Sequence, residues 1–132
     1  MKINHFIEIK KSEIEGIGVF ATKNFKEGEV VYSFKKGRIV GLNDIKNLPK
    51  GEERYLDKIG DDKFEIVEPP ARHVNHSCSP NVIEKERTAY ALRDIRKKEE
   101  ITIDYDKIAY FEKPFKCHCG SKNCIGFVQG TK

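Results

Sequence analysis

Four cysteines, Cys78, Cys117, Cys119 and Cys124, all lie in the C-terminal half of this 132-residue chain, three of them within CHCGSKNC. Four cysteines allow two disulfides in three pairings. Cys-x-Cys residues are poorly placed to pair with each other, however, and a reducing compartment keeps thiols free. Zinc asks instead for four soft ligands in a tetrahedron, with Zn–S distances of about 2.3 Å, and clustered cysteines with a glycine between them supply the tight turns. Three ligands come from the C-x-C-x₄-C run. The fourth is Cys78, His118 or an upstream histidine, and Cys78 is preferred because it completes a Cys₄ set and leaves no thiol over. Metal binding would also organise residues 115–127, which have too little apolar content to order themselves.

Cys78 belongs to a second chemically dense run, RHVNHSCSPN, residues 72–81, with two histidines, two asparagines and two serines. Such a run suits a metal site, a nucleophile with its base, or a polar turn ending at Pro80. A cysteine hydrolase using Cys78 with His76 or His73 is conceivable, since residues two apart in a strand share a face. It would leave three cysteines without a role and lacks obvious oxyanion donors.

The elements that must position these residues read as short strands. IGVFAT, EVVYSF, GRIVGL, KFEIVE, NVIEKE, TAYALR and EITIDY are rich in Val, Ile, Phe, Tyr and Thr, with Gly, Pro, Asn and Asp between them. LNDIKNLP and EERYLDKI are the only expected helical turns. Alternation in ITIDY puts Ile101, Ile103 and Tyr105 on one face and Thr102 and Asp104 on the other. The expectation is one mainly β domain of small sheets with few short helices, too short for two ordinary cores. There is no internal repeat or linker.

Apolar residues make up 38% and charged residues 35%, which suits a well-charged surface, and the apolar runs are too short to span a membrane. MKINHFIEIKKSEIEG lacks the apolar stretch of a secretory signal. An intracellular protein is expected, cytoplasmic or associated with nucleus or nucleoid. The net charge of +4 is segregated: Glu52, Glu53, Asp57, Asp61, Asp62, Glu65 and Glu68 face three basic residues in 51–70. A charge run is usually a solvated face; the sharper reading is a surface that attracts a basic peptide.

EGIGVFATKNFKEGE (15–29), ARHVNHSCSPNV (71–82), ALRDIRKKEEITIDYD (91–106) and FKCHCGSKNCIGF (115–127) follow one another in the order found in SET-domain protein-lysine methyltransferases with a post-SET segment. The chain resembles that family from about residue 6 to 128, as a minimal member with a SET domain at 1–106 and a zinc-binding post-SET segment at 107–132. The Gly-x-Gly is weak by itself; NHSCSPN and the cysteine tail are far more specific.

The resemblance implies a β-fold in which the NHSCSPN and ITIDYD segments form a pseudoknot below a narrow channel. S-adenosylmethionine would enter from one side and a substrate lysine from the other. It implies cofactor contacts from Gly16, Ile17, Gly18, Phe34, Asn75, His76, Tyr105 and Phe127. Gly16-Ile17-Gly18 would let backbone approach the cofactor; this is not the longer dinucleotide fingerprint. Tyr105 would be the catalytic tyrosine, its hydroxyl accepting a hydrogen bond from the lysine amine. Methyl transfer is an in-line displacement, for which the protein supplies alignment and a favourable field. An apolar channel beside a positive sulfonium lowers the amine pKa from about 10.4, so water carries the proton away and no strong base is needed.

Four places depart from the family pattern: His73 stands where an aromatic residue is usual, Ile103 where Phe or Tyr often limits methyl count, Ile125 where arginine is common, and VVYSFKKG offers Tyr32 or Phe34 at imperfect spacing for the usual Tyr-x-Gly. Asp61, Asp62 and Ile103 are the substrate-groove candidates, and the expected partner is a protein with an exposed lysine, histone-like or DNA-packaging. A rival reading is a catalytically inactive, zinc-stapled binding module for peptide or nucleic acid. Its tail would use Lys107, Lys113, Lys116, Lys122 and Lys132 beside Tyr110, Phe111 and Phe115, and its binding would be strongly salt-dependent. That reading leaves NHSCSPN and ITIDYD unexplained; for an enzyme, nucleic acid is met only indirectly, through the substrate.

Overall fold

The computed structural model describes residues 6–14, 16–104, 115–116, 122, 124 and 127–128. Twelve short strands run through them: β1 (Ile7–Lys11), β2 (Ile17–Ala21), β3 (Val30–Ser33), β4 (Ile39–Val40), β5 (Leu56–Gly60), β6 (Lys63–Ile66), β7 (Asn75–His76), β8 (Val82–Lys85), β9 (Thr88–Ala91), β10 (Glu100–Ile103), β11 (Phe115–Lys116) and β12 (Phe127–Val128). They form small sheets ordered β1-β2-β10-β7, β3-β9-β8, β4-β6-β5 and β11-β12. Helical structure among the described residues is limited to 3₁₀ turns at Leu42–Asn47, Glu52–Tyr55 and Ala71–His73. The mainly β expectation is met.

EERYLDKI divides where the reading above kept it whole. Glu52–Tyr55 is the 3₁₀ turn, but Leu56 opens β5, which pairs antiparallel with β6 through Leu56–Ile66 and Lys58–Phe64. Leu56 is buried in a cluster with Val40, Ile45, Phe64 and Ile66. Burial of a leucine side chain stabilises by about 1.5–3 kcal/mol, more than the weak helical preference of so short a segment. β1 was not anticipated; its only buried contact is made by Ile7, and its remaining residues are exposed.

The larger core gathers Val19, Ala21, Phe25, Val31, Tyr32, Val74, Val82, Ile95, Ile101 and Ile103 among others, and Tyr55 packs against both clusters. β10 lies between β2, its antiparallel neighbour, and β7, its parallel one. These neighbours cover its two edges, and its two faces are packed as well: Thr102 is as buried as Ile101 and Ile103.

The link from β7 to β8 is latched onto β10 by Asn81, which is 1% exposed. Its side-chain amide donates to the Glu100 carbonyl at 2.8 Å and to Glu99 at 3.1 Å, and its oxygen accepts the Thr102 N–H at 2.9 Å. Ser77 N–H reaches the Ile103 carbonyl at 2.9 Å. Residues 75–81 thus lie alongside a strand that follows them by about two dozen positions, which is the threading expected of the two motifs.

Candidate functional site

The β1–β2 turn brings Ser12 and Gly16 together, with Ser12 N–H donating to the Gly16 carbonyl at 2.9 Å. Gly16 has φ +37°, in the left-handed region that glycine tolerates, and a side chain there would meet nothing within 4 Å. Gly18 is different. A Cβ at Gly18 would lie 2.2 Å from Glu100 Oε2 and 3.1 Å from Asn75 Nδ2. At the second glycine the protein's own carboxylate and amide occupy the place of a side chain, whereas the first leaves open space beside the backbone. Ile17 between them is 48% exposed.

Asn75 comes to this point because β7 runs parallel to β10, with Thr102 opposite Asn75 and Ile103 opposite His76. Its Nδ2 donates to the Ile17 carbonyl and to Glu100 Oε2, each at 2.9 Å. Glu100 also accepts the Ser12 hydroxyl at 2.8 and 2.9 Å on its two oxygens. One carboxylate thus ties the β1–β2 turn, β2, β7 and β10 to a common point. Glu100 was missed in the sequence, where the EEITIDY run drew notice for its tyrosine.

His76 is 4% exposed. Its Nε2 lies 3.4 Å from Cys78 Sγ and its Nδ1 3.7 Å from Asp104 Oδ1. Cys78 and Cys124 are half-buried thiols, while Cys117, Cys119 and His118 lie outside the described residues. Among the described residues no three His, Cys, Asp or Glu side chains form a metal-holding group, and only two of the four expected zinc ligands are in that set. Tyr105 also lies outside it, immediately after Asp104, and of Phe127 only the backbone is described, pairing with Lys116.

The other candidates fall elsewhere. Phe34 packs against the larger core, its ring centroid 6.3 Å from that of Tyr32. Ile103 is buried in the same core. Asp61 and Asp62 form the exposed turn of the β5–β6 hairpin, and Asp62 accepts the Leu42 N–H at 2.6 Å, anchoring the first 3₁₀ turn. His73 lies edge-on to Tyr55 at 6.4 Å, and burial followed by the charge of Arg72 holds its pKa below the usual value.

Between the β3-β9-β8 and β4-β6-β5 sheets sit three further carboxyls, Asp57, Glu65 and Glu84. Glu84 accepts a short hydrogen bond from the Tyr32 hydroxyl. Burial, opposed by that bond and reinforced by Glu65, pushes Glu84 up to about 7; burial, then Glu84 and Glu65, pushes Asp57 up to about 7. Burial also acts upward on Glu65, but the Arg87 guanidinium and the Gly37 N–H outweigh it and hold Glu65 below the usual range. Arg87 reaches Glu65 from a tight β8–β9 turn in which Glu86 and Arg87 have φ +51° and +64°.

Residues 16–106 match the SET domain family model. The chain belongs to the SET-domain family. It is 34% identical over 140 residues to the Saccharomyces cerevisiae protein "Histone-lysine N-methyltransferase, H3 lysine-36 specific", covering 94% of this chain and 19% of that protein. The Yarrowia lipolytica protein of the same description is 30% identical over 142 residues, covering 94% and 18%. The chain thus spans about a fifth of the length of these relatives. Among solved structures, the methyltransferase domain of human histone-lysine N-methyltransferase SETMAR superposes with a TM-score of 0.70 at 19% identity, covering 98% of this chain and 59% of that one. That likeness extends the family match to the fold.

The SET-family donor is S-adenosylmethionine, and the open backbone at Gly16, the exposed Ile17 and the adjoining Asn75 and Glu100 fit a polar, positively charged ligand of that kind. Both Asn75 amide hydrogens are engaged within the protein.

Proposed function

We propose that this chain is a protein-lysine N-methyltransferase that uses S-adenosylmethionine to methylate the ε-amine of lysine in a basic, histone-like protein. The observation that carries this is the SET-family match over residues 16–106 together with the convergence of Gly16–Gly18, Asn75 and His76 at the β2–β10–β7 junction. The names of the relatives, histone-lysine N-methyltransferases, support lysine as the acceptor. They also support action inside the cell on chromatin or nucleoid protein; no helix among the described residues is long and apolar enough to cross a membrane.

When bound, the cofactor supplies an electrophilic methyl on a positively charged sulfur. The chain's own residues do the rest. Gly16, Ile17 and Asn75 hold and orient the donor, with His76 fixing the backbone beside it. The Tyr105 hydroxyl, following directly on Asp104, accepts a hydrogen bond from the neutral lysine amine and directs its lone pair; water takes the amine proton. An aligned pair of reactants needs no further base.

Cys78, Cys117, Cys119 and Cys124 form the proposed zinc site, with residues 107–132 as the post-SET segment following a SET domain at 1–106. The His76 Nε2 contact on Cys78 suits a thiolate held from outside the coordination sphere. Phe127 would then close the cofactor site from the zinc-bound tail, and the acidic 51–70 block would favour a basic peptide.

The test is incubation with labelled S-adenosylmethionine and a panel of histones, basic peptides and lysate, read by intact mass. Methyl transfer to lysine is expected. Absence of transfer to every protein, with calorimetry showing no cofactor binding, would overturn the reading in favour of a zinc-stapled binding module.

A further inference from the structure

Glu100 differs from its neighbours in how its charge is met. Glu99, one residue before it, is paired with Arg93 at 2.6 Å, and Glu65 with Arg87. Glu100 accepts from the Ser12 hydroxyl and the Asn75 amide. Both partners are neutral, and among the described residues no lysine, arginine or histidine forms an ion pair with it. Neutral donors stabilise a carboxylate without cancelling its field. The carboxylate lies against Gly18, and its partner Asn75 bonds the Ile17 carbonyl. A ligand seated on the Gly16–Gly18 backbone is therefore within its reach.

Methyl transfer changes the charge at that ligand. The S–CH₃ bond breaks, its electron pair stays on sulfur, and the sulfonium becomes a neutral thioether. The methyl carbon meanwhile bonds the lysine nitrogen, which releases a proton to water. Donor and product share their adenosine and amino-acid ends and differ in one methyl and one positive charge.

We propose that Glu100 is a specificity-determining residue that lets the site tell the sulfonium donor from its thioether product, holding the first and loosening the second once transfer is complete. This rests on the methyltransferase reading and deepens it: the same residue orders Asn75 and biases the site by charge. Ser12 and Asn75 set its position; the negative charge makes the distinction.

The experiment is isothermal titration calorimetry of the full chain, zinc-loaded, with S-adenosylmethionine and with S-adenosylhomocysteine, for the wild type, Glu100→Gln and Ser12→Ala. Glutamine keeps the shape, accepts from Asn75 and turns its NH₂ towards the Ser12 oxygen, so only the charge is lost. The ratio of donor to product affinity should fall about tenfold in Glu100→Gln, the size of an interaction between unit charges about 10 Å apart at an effective dielectric near 20. In Ser12→Ala both affinities should fall together, with the ratio kept. A merely structural Glu100 would lower both affinities equally in Glu100→Gln and leave the ratio unchanged, which overturns the proposal. Should the wild type bind neither ligand, the methyltransferase reading itself fails and takes this one with it. Wild-type binding with an unmoved ratio sinks the charge argument alone.

Discussion

Replacing Glu84 by glutamine tests the interior carboxyl cluster directly. Glu84 accepts the Tyr32 hydroxyl at the seam between two sheets, with Asp57 and Glu65 on the facing one. Its pKa is pushed from 4.5 up to about 7, chiefly by burial. A carboxyl whose folded-state pKa is raised holds its proton more tightly when folded. Stability therefore falls as pH rises from about 4 to about 7 and levels off above. The displacement corresponds to roughly 3 kcal/mol at slightly alkaline pH, an upper limit because Glu84 keeps some solvent contact. Glutamine still accepts the Tyr32 hydroxyl but carries no charge to desolvate. Urea denaturation across a pH series should show Glu84→Gln more stable than wild type by about 2–3 kcal/mol near pH 8 and by less than about 1 kcal/mol near pH 5. Asp57 remains, so the variant keeps part of the pH dependence. A variant less stable than wild type near pH 8, or one with an unaltered pH profile, would refute the reasoning.

Other outcomes follow from the same geometry. Asn81→Ala removes three hydrogen bonds and leaves the Thr102 N–H and Glu100 carbonyl unpaired in a buried place, so unfolding free energy should drop by about 2–4 kcal/mol in denaturant titration. Tyr105→Phe should keep the wild-type circular dichroism spectrum while slowing methyl transfer on the order of a hundredfold; wild-type turnover would remove Tyr105 from its role. Purified protein should hold about one zinc per chain, and Cys78→Ser should lose it, as read by elemental analysis; less than about half an equivalent in the wild type speaks against the site. Asp61→Lys should raise the KM for a basic peptide about two- to fivefold with kcat unchanged, since an exposed charge acts mainly on encounter; Asp62 is a poorer probe because it anchors the Leu42 turn.

Much of the fold was legible because its strands carry β-branched and aromatic residues between clear turn formers. NHSCSPN and ITIDYD were legible as a pair because their order along the chain resembles that of the SET-domain family. What escaped was set by pairing across the chain. Whether LDKI is helix or strand depends on Phe64 and Ile66, several residues later, and four residues hold too few periods to decide. Thr102 reads as lying on the face opposite Ile101 and Ile103, and nothing local shows that this face too is buried. Gly18 reads as a place for a ligand, but its missing side chain makes room first for Glu100, and nothing local to either residue announces the other. Asn81, the last residue of a polar run, is a buried latch: hydrogen-bond capacity is visible in a sequence and its partners are not.

The crossing of β7 with β10 also governs when the protein can exist. Strand β10 begins at residue 100, and until it has left the ribosome β2 has only β1 beside it, while β7 and Asn81 lack their partners. Until then Val19, Val74 and Val82 lack the strand that completes their cover. Closure is a late, long-range event of the kind that folds slowly and exposes apolar surface meanwhile. The same strand that carries Glu100 to the Gly16–Gly18 backbone completes the core, so a nascent chain gains that cluster and its stability in one step.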